Sequence, residues 1–557
     1  MKRIISVLMC SVFLSLFFTP AVFSYSPDER AERNKLLASL YEADVGDIRD
    51  AILEGLISCE DVTRYYIRRI ERYNKEFNCF ISLFDDALQK AKEKDEMLKN
   101  GDASGLLFGV PVVIKDNIKL KGTYTTNVHY FSASKKAKND AQVTARLLEE
   151  GAVIRGKTNM STDAQDARTS LSLVAGETKN AYNSRLTAGG SSGGTAVAVS
   201  LNFCAAGLGT DTNSSLRYPA ALSGTVALRS TFGLVSTKGI IALNSTRDVA
   251  GAITRTVESQ ALMLDVLTDG EYGFYDALDS DFLSDGIRLG ILRELSGPVK
   301  NIYSSDAAAR FDIGYRTKKY IDSEVTDAFL AAVKELEELG AEVREVSMPR
   351  IFSLSVKTFE TNASSRKTAL YQAFRKFMEE NSLDAVIFPT YLSAPMKSAA
   401  AGNIYSAVFI NNCRVLSPSA GLPELTVPIG QHSSGAGIGM EIASLKNSEQ
   451  LLLNIGYSYE QAASMRKAPD TAPDFYSRYF VSSLNEILDP GIISVPVISL
   501  EEESTFSYEE VTSENAEDDK DSSGSVIAPY IVVGVSLIVI LGIGFTFGKK
   551  YKENIKE

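Results

Sequence analysis

The sequence predicts an α/β domain, a large and mostly buried β-sheet surrounded by helices. Short apolar runs, GVPVVI at 109–114 and GAVIRG at 151–156, have the length and composition of buried strands. Helical patterns alternate with them, as in Ala141–Glu150 between those two runs. Further on, Val325–Leu339 carries an apolar face at helical spacing and leads into AEVREVSMP, a strand pattern closed by proline. At 557 residues, 45% of them hydrophobic, the chain is long enough to bury such a core.

The elements before and after this domain read differently. Residues 1–24 have the form of a secretory leader: Lys2 and Arg3, an apolar run from Ile4 to Phe18, and small residues up to Ser24. The main domain is expected over 25–485. Its first part, about 32–104, reads as helical, with Ser58-Cys59-Glu60-Asp61 resembling a capping box ahead of Val62, Tyr65, Tyr66, Ile67 and Ile70. Residues 486–525 read as an acidic disordered stalk. Glu501–Asp521 holds ten acidic residues and one lysine, so a charge of −9 out of the chain's −12 belongs to it. Val526–Phe547 then runs 22 residues without a charge. As a helix it is about 33 Å long, enough to cross a bilayer. Lys549, Lys550 and Lys552 in the tail 548–557 put that end in the cytoplasm. The expectation is an exported, single-pass membrane protein with its main domain outside the cell. The near-neutral remainder lacks the basic balance of a nucleic-acid binder.

Cysteine and histidine are scarce. Beyond the leader there are Cys59, Cys79, Cys204 and Cys413, with no C-x-x-C pair. A Cys59–Cys79 disulfide is open to an exported chain, although spacing alone does not fix it. The two histidines, His129 and His432, have no metal-ligand neighbours at helical spacing, so no metal site or other cofactor is expected. A Ser-His-Asp triad would have to use one of these two residues.

Three segments stand out instead. Lys115 ends the apolar run of GVPVVIKDNI, and strand ends commonly carry reactive groups. Residues 189–194 read GGSSGG, four glycines around two hydroxyls, flanked by apolar sequence that no flexible linker would have. Residues 209–224, GTDTNSSLRYPAALSG, form a polar loop opening into an apolar segment.

Together these segments resemble the amidase signature family. GAVIRGKTNMS, STFGLVSTKGI, DVAGAITRTV, FPTYLSAP and GLPELTVPIG follow in family order, and the match covers roughly residues 35–480. The resemblance implies a mixed sheet and a triad in which Lys115 is the base, Ser191 the relay after a cis peptide, and Ser215 the nucleophile. It implies an oxyanion hole from the loop of Thr212, Asn213 and Ser214, with Ser192, Asp211 and Arg217 in support. The implied activity is hydrolysis of small amides, C-terminal peptide amides or N-acyl amines. A lysine serves as a base only when neutral, so burial beside Val112, Val113 and Ile114 is expected to lower its pKa from about 10.4.

This chain departs from the family at Asn213-Ser214, where a pair of glycines is usual. Two other readings follow. One is a binding or scaffold protein whose oxyanion hole is impaired. The other is the glutaminase-like subunit of the tRNA-dependent amidotransferase, against which the leader and the membrane span argue.

Overall fold

The computed structural model describes residues 34–128, 135–298, 315–361, 364–402 and 406–475. The leader, the stalk, the apolar span, the tail and His129 lie outside the described residues. Among the described residues no helix is long and apolar enough to cross a membrane.

The strands are β1 (Phe80–Leu83), β2 (Pro111–Lys115), β3 (Val153–Thr158), β4 (Ser170–Ser172), β5 (Gly176–Thr178), β6 (Ala206–Asp211), β7 (Val226–Arg229), β8 (Val249–Thr254), β9 (Arg288–Leu292), β10 (Glu342–Val346), β11 (Ala385–Pro389), β12 (Glu424–Gln431) and β13 (Gly437–Ala443). Eleven of them form one sheet in the order β1-β3-β2-β6-β8-β7-β12-β13-β11-β9-β10, while β4 and β5 make a separate hairpin. The sheet is mixed. β3, β2 and β6 run parallel, as do β11, β9 and β10, and the strands between them pair antiparallel. β2, β3, β6, β7 and β8 are buried along their whole length. That is why they read as continuous apolar or small-residue runs rather than alternating ones.

The helices follow local signals. Ser58 caps Cys59–Phe77 by accepting the Asp61 backbone N–H, and Asp322 caps Ser323–Glu338 by accepting those of Glu324 and Val325. One element departs from the helical reading of 32–104. Phe80–Leu83 is a strand that pairs antiparallel with β3 and completes the sheet edge.

The cysteines answer a question that their spacing leaves open. Cys59 and Cys79 are both free and buried. The 19-residue helix Cys59–Phe77 starts at one and ends two residues before the other. At 1.5 Å per residue it is about 28 Å long, whereas a disulfide needs Cα atoms within about 7 Å.

Arg69, fully buried, fastens the far end of the described chain. It donates to the carbonyls of Leu201, Asn202, Ala472 and Pro473 and lies against the rings of Tyr41, Tyr65, Tyr73 and Phe475 at 4.9–5.8 Å. Arg466 holds the same segment through Glu42 and the carbonyls of Ser200 and Gly224.

Candidate active site

Strand direction gathers the polar groups at one edge of the sheet. β2 and β6 are parallel, so Lys115 and Asp211 arrive together at their C-terminal ends. β8 runs against β6 with Val249 opposite Asp211, which brings Asp248 to the same edge. Arg229 ends β7 opposite Glu424, the first residue of β12.

Two loops close over this edge. Ser191 and Ser192 lead into the helix Gly193–Ser200, and residues 212–216 join β6 to the helix Arg217–Leu222. The Ser192 N–H donates to the Ser215 carbonyl at 3.1 Å and ties the loops together. The Gly190–Ser191 peptide is cis. The glycines of GGSSGG are a packing requirement: a Cβ on Gly190 would collide with the carbonyl oxygens of Thr169 and Asp166, and one on Gly194 with that of Asn159.

Lys115 is fully buried. Its Nζ lies 2.7 Å from Ser191 Oγ, 2.9 Å from Ser192 Oγ and 2.9 Å from Thr210 Oγ1. Burial pushes the amine down to about 7, against the charges of Asp211 and Asp248, which favour the ammonium form. Ser215 is 7% exposed, and its hydroxyl makes no hydrogen bond among the described residues.

Asp211 and Arg217 frame the Ser215 loop. Asp211 accepts from the Leu216 N–H at 3.1 Å and from Arg217 Nε at 3.1 Å, and Arg229 Nη1 lies 3.2 Å away. Burial pushes the Asp211 carboxyl up, but the two guanidinium charges outweigh it and hold the carboxyl below its ordinary value. Arg217 also donates to the Asn213 carbonyl at 3.0 Å. Ser214 Oγ accepts from Asn411 Nδ2 at 3.1 Å, and Thr212 Oγ1 donates to Asp248 at 2.5 Å. Among the described residues no acceptor takes the backbone N–H of Thr212, Asn213, Ser214 or Ser215. That leaves consecutive donors at one loop.

The structure therefore brings together Lys115, Ser191 and Ser192, joins Ser215 to them through the loop backbone, and backs the loop with Asp211 and Arg217. Sequence reasoning missed Thr210, Asn117 and Asp248. Each lies inside a quoted segment, yet nothing in spacing sets a strand threonine or a loop asparagine apart. His432 sits on the β12–β13 hairpin, at the opposite edge, between Ser434 and Asp322. Cys413, Glu424 and Glu441 group their donor atoms within 4.8 Å. The cation in that cluster is Arg217, bonded to Glu424 and 3.7 Å from Glu441, so the residues fit a guanidinium rather than a metal.

A mixed sheet of this order with a buried lysine and serine loops at one edge defines the amidase signature fold. The Amidase family model matches residues 61–359 and 352–453, and the chain belongs to that family. A glutamyl-tRNA(Gln) amidotransferase subunit of Thermoanaerobacter pseudethanolicus is 30% identical over 493 residues, covering 77% of this chain and 98% of that protein. The peptide amidase of Stenotrophomonas maltophilia superposes with a TM-score of 0.64 at 26% identity, covering 78% of this chain and 100% of that one. A fatty acid amide hydrolase superposes with a TM-score of 0.65 at 19% identity, covering 79% and 87% of the two chains, and speaks for the fold alone.

Proposed function

We propose that the protein is a serine hydrolase cleaving carboxamide C–N bonds through an acyl-enzyme on Ser215. The observation that carries this is Lys115: a buried amine brought to about 7 and in hydrogen-bond contact with Ser191. Neutral Lys115 takes the Ser191 proton while Ser191 takes that of Ser215, and the Ser215 oxygen attacks the amide carbonyl carbon. The tetrahedral oxyanion meets the unpaired N–H groups of residues 212–215. The proton returns through Ser191 to the leaving nitrogen as the C–N bond breaks. Water then attacks the ester by the same relay and releases the acid.

Asn213 and Ser214 do not remove these donors, because the backbone supplies them. Arg217 on the Asn213 carbonyl and Asn411 on the Ser214 hydroxyl hold the loop, which weighs against an impaired oxyanion hole. The peptide amidase likeness puts C-terminal peptide amides first among substrates. The amidotransferase relatives support a second reading, a subunit that releases ammonia from glutamine only beside its partners. The test is fluorophosphonate labelling of the full chain, followed by amide turnover. Label on Ser215, abolished in Ser215→Ala and Lys115→Ala, supports the hydrolase; an unlabelled Ser215 overturns it. The leader and span further support export with the domain outside, and protease shaving of intact cells that spares the domain would sink that location.

A further inference from the structure

Asn117 and Thr210 line a recess of about 30 Å³ together with Thr212, Asp248, Val249 and Ala164. That is room for one water. Asn117 is 2% exposed, and its Oδ1 has no hydrogen-bond partner among the described residues. Thr210 Oγ1 accepts from Lys115 Nζ at 2.9 Å and from Asn117 Nδ2 at 3.1 Å, which engages both its lone pairs. Its own proton meets no acceptor among the described residues.

We propose that this recess binds a single water, and that the water and Asn117 together aim the Lys115 lone pair at Ser191. The inference rests on the hydrolase reading above. A neutral amine has two N–H groups and one lone pair, and Lys115 faces three hydroxyls. As the base it must accept from Ser191, so its two protons go to Ser192 and Thr210. Ser192 is free to accept, because its own proton goes to the Thr210 carbonyl at 3.2 Å. Thr210 accepts only if its proton points elsewhere. Pointed at Lys115, that proton would occupy the lone pair and silence the base.

The water takes the Thr210 proton and offers its own two to Asn117 Oδ1 and to the Asp248 carboxylate. Asp248 is fixed as an acceptor by Thr212 Oγ1 at 2.5 Å and by the N–H groups of Leu243 and Asn244 at 2.9 Å each. Three partners suit a buried water. Asn117 is thus a positioning residue acting through Thr210.

Two variants and one structure test this. Val249→Ile puts a methyl group into the recess and touches no polar atom, while Asn117→Leu removes the amide. In both, the limiting rate of Ser215 labelling by a fluorophosphonate should fall about tenfold, a fraction of what a general base contributes. The half-saturating probe concentration and the melting temperature should stay near wild type. A crystal structure of the wild-type protein at a resolution that shows waters should hold one between Thr210 and Asn117. A dry recess, or full labelling rates in both variants, overturns the proposal. If Asn117→Leu does not fold, Val249→Ile and the crystal structure decide. A wild-type protein that takes no label at all fails the hydrolase reading instead, a result separable from the others.

Discussion

Two buried lysines stand on neighbouring strands, and they differ in what surrounds them. Lys115 closes β2, and Lys157 lies in β3 opposite Ile114. Both are fully buried, and burial pushes both amines down, to about 7 for Lys115 and about 8 for Lys157. Lys115 faces three hydroxyls, two of them on the loop that touches Ser215. Lys157 donates to the Ile118 carbonyl, and to Thr125 Oγ1 at 3.2 Å. Asp116 supports its charged form. A carbonyl has no proton to yield, and Thr125 makes no other side-chain hydrogen bond among the described residues. Desolvation makes a lysine's proton easy to lose. Neighbouring groups decide whether that has a use. A lowered pKa alone would have flagged both residues, and geometry separates them.

The largest test replaces each lysine by its nearest apolar match. Lys115→Met should slow fluorophosphonate labelling by about 10²–10⁴-fold, the range of a general base. Lys157→Met should label within about threefold of wild type yet lose about 1–3 kcal/mol of stability, because the buried Ile118 carbonyl loses its donor. Equal losses of labelling in the two variants would break the comparison.

A smaller effect sharpens it. Labelling of the wild type should rise with pH through about 7 as Lys115 gives up its proton. The Asp248 charge favours the ammonium form, so Asp248→Asn should move that limb to lower pH, and a shift to higher pH would contradict the assignment. Stability carries the same sign. Lys115 holds its proton more weakly folded than unfolded, so it costs the fold stability below about pH 7, and the cost fades as pH rises toward 10.5. Denaturant midpoints of wild type and Lys115→Met should therefore approach one another across that window.

Much of the site was legible because its chemistry sits in local sequence. GVPVVIK gave a strand with a lysine at its end, GGSSGG a tight hydroxyl-bearing turn, and Ser58 a helix cap. Thr210, Asn117 and Asp248 were not legible as partners of Lys115. Their meeting depends on the parallel register of β2 with β6 and the antiparallel register of β6 with β8, which join residues far apart in the chain. The strand Phe80–Leu83 was hidden for a related reason: four residues between helices show little periodicity, and only pairing with β3 defines them. Cys59 and Cys79 show the same limit: their spacing left a disulfide open, and only the helix between them rules it out.

The arginine knot at the end of the described chain has a mechanical meaning. A pull on the chain beyond residue 475 loads the carbonyls of Ala472 and Pro473 first, and these are held by Arg69. Next in line is Arg466, anchored to Glu42 and to the carbonyls of Ser200 and Gly224. Tension must break both grips before it reaches the helix Glu449–Ala463, and the grips themselves rest on the C-terminal ends of Gly193–Ser200 and Arg217–Leu222, the two helices that the serine loops lead into.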